Sequence, residues 1–223
     1  MAIAFRSSTA LTTGTRTNST INAPAGAVNG TDIIVAVLGI GNPTSTTTSA
    51  PSGWTQLSTV QYSNADPYVV NLYLFWRVHD GASSWTWTHS SATTDGATFA
   101  WSGVDLTTPS DATPATNTGV GTSASFSSIT IATDGAQRVG ARGSWDGNAI
   151  TAPASWSERL DQVVTWVGDI AAAGVGATGS TTVDSGNTSG DTPWGTIHAA
   201  LRPATETPPE GPFAMLRPAV VAP

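Results

Sequence analysis

The side chains in this sequence that have chemistry to offer are few, and their spacing limits what they can do. There are three histidines, His79, His89 and His198. His79 and His89 flank an expected hairpin, and with Asp80 and Asp95 they are nitrogen and oxygen ligands of the kind zinc takes. Asp80-Gly81 and Asp95-Gly96 are, however, Asp-Gly pairs, which reverse a chain tightly because glycine accepts a positive φ. The turn reading is therefore preferred, and no metal is expected. Asp184, Asn187 and Asp191 are oxygen ligands suited to calcium, but they lack a recognised loop spacing.

Gly174-Val175-Gly176-Ala177-Thr178-Gly179 matches the dinucleotide fingerprint. That motif works only between a strand and a helix whose N-terminus holds the pyrophosphate. Here Ser and Thr follow, so the segment reads as a strand-linking loop and no cofactor is expected. Of the three Glu, Glu158, Glu206 and Glu210, two fall near the end of the chain, whereas a glycosidase sets two carboxylates across a cleft. No G-x-S-x-G elbow occurs, and the absence of cysteine excludes thiolate chemistry. The chain reads as a protein that binds or builds and does not catalyse.

Nine tryptophans are many for one domain: Trp54, Trp76, Trp85, Trp87, Trp101, Trp145, Trp156, Trp166 and Trp194. An aromatic face can stack on a sugar or fill a core. Trp76 lies on an apolar strand face and belongs to a core. Trp85 and Trp87 share one face of a strand; they are the candidate glycan-facing pair, with packing the preferred reading.

These residues must be positioned by strands. Glycine, proline and Ser/Thr clusters interrupt nearly every ten-residue window, and no 3.6-residue apolar period emerges; residues 163–173, the best helix candidate, are β-branched and end in glycines. In residues 68–79, Val70, Leu72, Leu74, Trp76 and Val78 alternate with Asn71, Tyr73, Phe75 and Arg77, which predicts a central strand with one fully apolar face. Residues 33–40 are continuously apolar, as in a strand buried on both faces. Further strands are expected at 57–62, 85–89, 98–103, 126–131, 138–144, 163–167 and 196–201. Asn29-Gly30, Asp80-Gly81, Asp95-Gly96, Asp134-Gly135 and Asp146-Gly147 should separate them. Ala50-Pro51-Ser52-Gly53-Trp54-Thr55 echoes Ala152-Pro153-Ala154-Ser155-Trp156-Ser157, as two similar sheet corners would. The fold expected is all-β: an antiparallel β-sandwich or jelly-roll-like single domain over residues 1–203.

Charge excludes partners. All eight basic residues are Arg, they are scattered, and the net charge is −7, so the basic patch that nucleic-acid binding requires is missing. No apolar run is long enough to span a bilayer. Met1-Ala2-Ile3-Ala4-Phe5-Arg6 has neither the basic start nor the apolar stretch of a signal peptide.

From Pro203 onward six prolines occur, at 203, 208, 209, 212, 218 and 223. Proline removes donors and stiffens an extended chain, so residues 204–223 read as a C-terminal arm. Phe213, Met215, Leu216, Val220 and Val221 are its apolar anchors, and Arg217 is placed to pair with a partner's carboxylate.

Pro51-Ser52-Gly53-Trp54-Thr55, Leu74-Phe75-Trp76-Arg77-Val78, Trp85-Thr86-Trp87-Thr88 and His198-Ala199-Ala200-Leu201-Arg202-Pro203 after Trp194 together resemble a β-sandwich module of virion proteins in tailed phages, especially those of actinobacteria. The resemblance spans about residues 1–203 and leaves the arm outside it. It implies a structural protein on the outer surface of a particle, with the major capsid protein or other virion proteins as partners. The first expectation is a head decoration or minor capsid protein, homo-oligomeric, for which a trimer would cover edge strands. The alternatives are a minor tail or tail-tip protein that touches host glycan, and a carbohydrate-binding module, which would need a leader.

Overall fold

A computed structural model describes residues 1–42, 48–63, 69–145, 147, 149–172, 174–185 and 192–205. Among them every regular element is a strand, and no helix is long and apolar enough to cross a membrane.

The first half of the chain forms β1 (Ala4–Asn22), β2 (Ile33–Asn42), β3 (Thr48–Ser49), β4 (Thr55–Ser63), β5 (Val69–Val78) and β6 (Ser84–Ser102). They make an antiparallel sheet in the order β1-β6-β2-β5-β4, with β3 on the free side of β6. The second half forms β7 (Ala115–Val120), β8 (Ser123–Phe126), β9 (Thr130–Ile131), β10 (Gln137–Ser144), β11 (Ile150–Thr151), β12 (Ser157–Asp161), β13 (Thr165–Ala171), β14 (Gly176–Ala177), β15 (Thr181–Ser185) and β16 (Pro193–Leu201). Its main sheet runs β7-β16-β10-β13-β12.

The two halves repeat one topology. Counting only main-sheet strands along the chain, each half places its first beside its fifth, then its second, fourth and third. The small strands match too. The far half of β1 pairs with the near half of β6, as β8 pairs with β15. β3 pairs with β6, as β11 pairs with β15. In both units the corner Trp donates its backbone N–H to the proline carbonyl three residues back, at 3.3 Å for Trp54 and 3.0 Å for Trp156. Each corner leads into an edge strand that carries one register shift. The sequence echo therefore falls at the same corner of both repeats of the topology.

The sheets face each other across one shared core. Ile33, Val35, Val37, Leu72, Leu74, Phe99 and Trp101 from the first meet Val139, Ala141, Val167, Ile197, Ala199 and Leu201 from the second. Both units contribute to this core. β2 is buried on both faces: its alternate residues Ile34, Ala36, Leu38 and Ile40 enter an outer core with Trp54, Tyr73, Phe75, Trp85 and Trp87. The folded-over ribbon of β1 and β6 roofs that outer core. In the second unit β8, β11 and β15 roof an equivalent core of Phe126, Trp156, Trp166, Val183 and Trp194.

Three expectations change. Residues 85–89 and 98–103 are parts of the single 19-residue strand β6, and Asp95-Gly96 lies inside it, opposite a register shift in β1, and is not a turn. There Gly96 has φ +148°, and a Cβ would sit 2.2 Å from the Val37 carbonyl oxygen, so the fold at this point requires glycine. Asp95 is buried and accepts the backbone N–H of Val164 at 2.8 Å and the Thr13 hydroxyl at 3.1 Å, tying the two units together. Burial raises its pKa, and these hydrogen bonds oppose the rise. Residues 126–131 divide between β8 and β9. Strand β1 was not expected: its Ser/Thr-rich run offers little apolar alternation, and pairing of 15 of its 19 residues with β6 is what holds it.

Candidate functional site

Two places in this fold carry groups that a partner or ligand would use: the root of the C-terminal segment, and the aromatic–cation corner of each unit.

At the root the chain leaves β16 through Arg202, Pro203 and Ala204, which bond to the segment between β6 and β7 and to the N-terminus. Val104 and Pro203 form an antiparallel bridge. Ala204 N–H donates to Gly103 O at 2.8 Å, and Asp105 N–H donates to Arg202 O at 2.9 Å. The Met1 ammonium donates to Ala204 O at 3.0 Å. Arg202 faces Asp111 at 3.5 Å, and Asp111 accepts the N–H groups of Ala132 and Thr133. Whatever follows residue 205 thus departs from a fixed point where the two units and the N-terminus meet. The expected anchors Phe213, Met215, Leu216, Arg217, Val220 and Val221 lie outside the described residues.

At the first corner Trp54 meets Trp85 and Trp87 edge-on, with ring centroids 5.1 and 5.0 Å apart. Trp85 is 5% exposed and Trp87 is fully buried. The glycan-facing role considered for this pair is therefore corrected. The strand face they share is the underside of the ribbon, turned onto β2 and β5, so neither offers a stacking surface. Arg77 lies over Trp54 and Trp85 at 5.6 and 5.4 Å and pairs with Asp80.

At the second corner Trp156 stacks on Phe126 (5.4 Å, 16°), and its ring sits where a Cβ on Gly140 would be, 2.7 Å away. Arg138 on β10 lies over the Trp156 ring at 5.1 Å. Its Nε–H donates to His198 Nε2 at 3.1 Å, and an Nη donates to Thr181 Oγ1 at 3.3 Å. His198 accepts from an arginine on Nε2, so its proton is on Nδ1, which donates to Ser127 O at 2.7 Å. Burial and the adjacent guanidinium push the imidazole pKa down to about 4, so it is neutral at pH 7. Sequence reasoning missed this cluster because its members, on β10, β15 and β16 and at the corner, converge only through sheet pairing.

The other residues singled out do not converge. His79 packs edge-on against Trp85, and His89 bonds to Ser19 Oγ and Ser90 O. Asp80 is engaged by Arg77, and Asp95 by Val164 and Thr13. Asp184 accepts from Ser123 at 2.5 Å, while Asn187 and Asp191 lie outside the described residues. Among the described residues no group of three or more His, Asp or Glu side chains is arranged to hold a metal. Gly174 to Gly179 is a loop around β14, with no helix after it. Glu158 accepts the Trp166 indole N–H at 3.0 Å. Comparison with family models, characterised proteins and solved structures gives no match.

Proposed function

We propose that this chain is a structural protein of a tailed-phage particle, a head decoration or minor capsid protein. In this reading the double sandwich is a rigid body on the outer surface, and the proline-rich C-terminal segment fastens it to the major capsid protein or another virion subunit. The observation that carries the reading is the anchored root. Arg202 to Ala204 are held by residues 103–109, which join the two units, and by Met1, so tension on the segment beyond is shared between the interior strand β16 and the link to the first unit. The motif resemblance of residues 1–203 to virion modules and the weakly charged, hydroxyl-rich strands agree with it. An arm that lays Phe213, Met215 and Leu216 on a neighbour would gain roughly 25 cal/mol per Å² of apolar area, less the cost of ordering it.

Removing residues 206–223 tests this directly. The expected result is a truncated protein with an unchanged melting temperature that no longer decorates heads. Full head occupancy by the truncated form would defeat the arm reading. Unchanged head composition with lost adsorption to host cells would instead favour the tail-tip alternative.

A further inference from the structure

We propose that the cavity beside Arg138 binds a small oxyanion, a carboxylate or phosphate group, with the Arg138 guanidinium as its counter-charge and the loop 174–178 as its wall. This goes beyond the structural role and does not depend on it.

Arg6, Arg77, Arg159 and Arg202 each face a carboxylate: Asp32 at 2.7 Å, Asp80, Asp169 at 2.7 Å and Asp111 at 3.5 Å. Arg138 is only 9% exposed, yet among the described residues no carboxylate lies within ion-pairing distance of it. A buried charge is costly unless it is paired. The Trp156 face offsets part of that cost. His198 and Thr181 accept two of the five N–H donors that a guanidinium carries. Both acceptors are neutral, so the positive charge itself is left uncompensated.

The space comes next. Arg138 lines a cavity of about 180 Å³ together with Ile131, Gly174, Val175, Gly176, Ala177 and Thr178. That volume is several times the roughly 30 Å³ a water molecule occupies in the liquid, enough for an oxyanion and some of its hydration. Gly174 and Gly176 have φ of +139° and +122°, and nothing lies within 4 Å of where a Cβ would be, so this part of the wall is bare backbone. Val175 is 66% exposed at its rim. The glycine-rich segment that does not serve as a dinucleotide fingerprint thus lines the cavity at Arg138. Guanidinium is the side chain best matched to carboxylate and phosphate oxygens.

The test follows the Arg138 side-chain Nε–H signal by ¹⁵N NMR on the full chain, assigned by its loss in Arg138→Lys. The chain is titrated with sodium phosphate, with sodium acetate, and with sodium chloride at matched ionic strength. The expected result is a saturating shift with phosphate, acetate or both, and none with chloride; the two oxyanion arms distinguish a tetrahedral from a planar occupant. Val175→Glu at the exposed rim should place a carboxylate in the cavity from within the chain. It should weaken the response about tenfold or more, in line with competition by a charge-assisted pair, and raise the melting temperature. Shifts that rise linearly without saturation, an equal response to chloride, or an unchanged titration in Val175→Glu would overturn the proposal.

Discussion

The two corners of this molecule share one design and treat their cation differently. Each has a proline, a residue with positive φ (Gly53 at +83°, Ser155 at +69°) and a tryptophan that closes an outer core. Each lays an arginine on that tryptophan. In the first unit Arg77 comes from β5 and is paired by Asp80 in the following turn. In the second, Arg138 comes from β10 and is met by a neutral histidine, a threonine and an open cavity. A repeated topology tolerates this difference because the shared core depends on neither corner. One corner is satisfied within the chain, and the other is left to its surroundings.

The sharpest way to break the comparison is to remove each tryptophan. Trp54→Ala and Trp156→Ala should each cost about 3–5 kcal/mol, the usual range for a buried aromatic. Because the sheets share one core, each variant should still unfold in a single transition by urea denaturation followed by far-UV circular dichroism. Two separated transitions in either variant would show that the units are independent domains and that the corners cannot be compared as parts of one.

The next largest effect belongs to the second unit alone. His198 has a folded pKa near 4 against about 6.5 in an unfolded chain. Between those values the unfolded state binds the extra proton, so stability rises with pH across the window and is lost as pH falls. The full shift amounts to roughly 3 kcal/mol. Asp95 works the other way, since its raised pKa favours the folded state as pH falls. The measurement is therefore the difference in unfolding free energy between wild type and His198→Gln from pH 7 to pH 4. Wild type should lose more stability than the variant on acidification; parallel curves would mean that His198 is not held neutral by Arg138 and burial.

Asp80→Asn makes the first corner resemble the second. Arg77 would stay buried without its acid, at a cost of about 1–2 kcal/mol. If the comparison holds, phosphate should restore part of the lost melting temperature, as it should support Arg138.

How much of this was legible depends on what each residue answers to. β2 was visible because a strand buried on both faces leaves a continuous apolar run, and β5 because one fully apolar face leaves side-chain alternation. The corners were visible because Pro and Trp are rare enough for the echo to stand out. β1 was not visible: Thr and Ser suit many conformations, and its strand state comes from a partner some 80 residues away. Asp95-Gly96 misled because the local preference for a turn is the same whether glycine ends a strand or lies inside one. Trp85 and Trp87 alternate as a surface pair would, and only the ribbon folding over the sheet turns that face inward. The Arg138 cluster had no signal in spacing at all, since Arg138, Trp156, Thr181 and His198 meet only when β10, β15, β16 and the second corner assemble.

The smallest effect probes the backbone that the corners still share. Ser155 is the one non-glycine residue with positive φ among the described residues, and its first-unit counterpart is Gly53. A side chain in the left-handed region costs about 1–2 kcal/mol relative to the right-handed one, while glycine gives back part of that gain through the extra freedom of the unfolded chain. Ser155 is exposed, so Ser155→Gly removes strain and little packing. It should stabilise the protein by roughly 0.5–1 kcal/mol. Gly53→Ser should destabilise by at least as much, because a Cβ there would lie 3.3 Å from the Arg77 guanidinium. Opposite signs for the two substitutions in thermal melts would show that the corners keep one backbone geometry. A loss of stability in Ser155→Gly would mean that the serine hydroxyl has a function at the second corner that the first corner lacks.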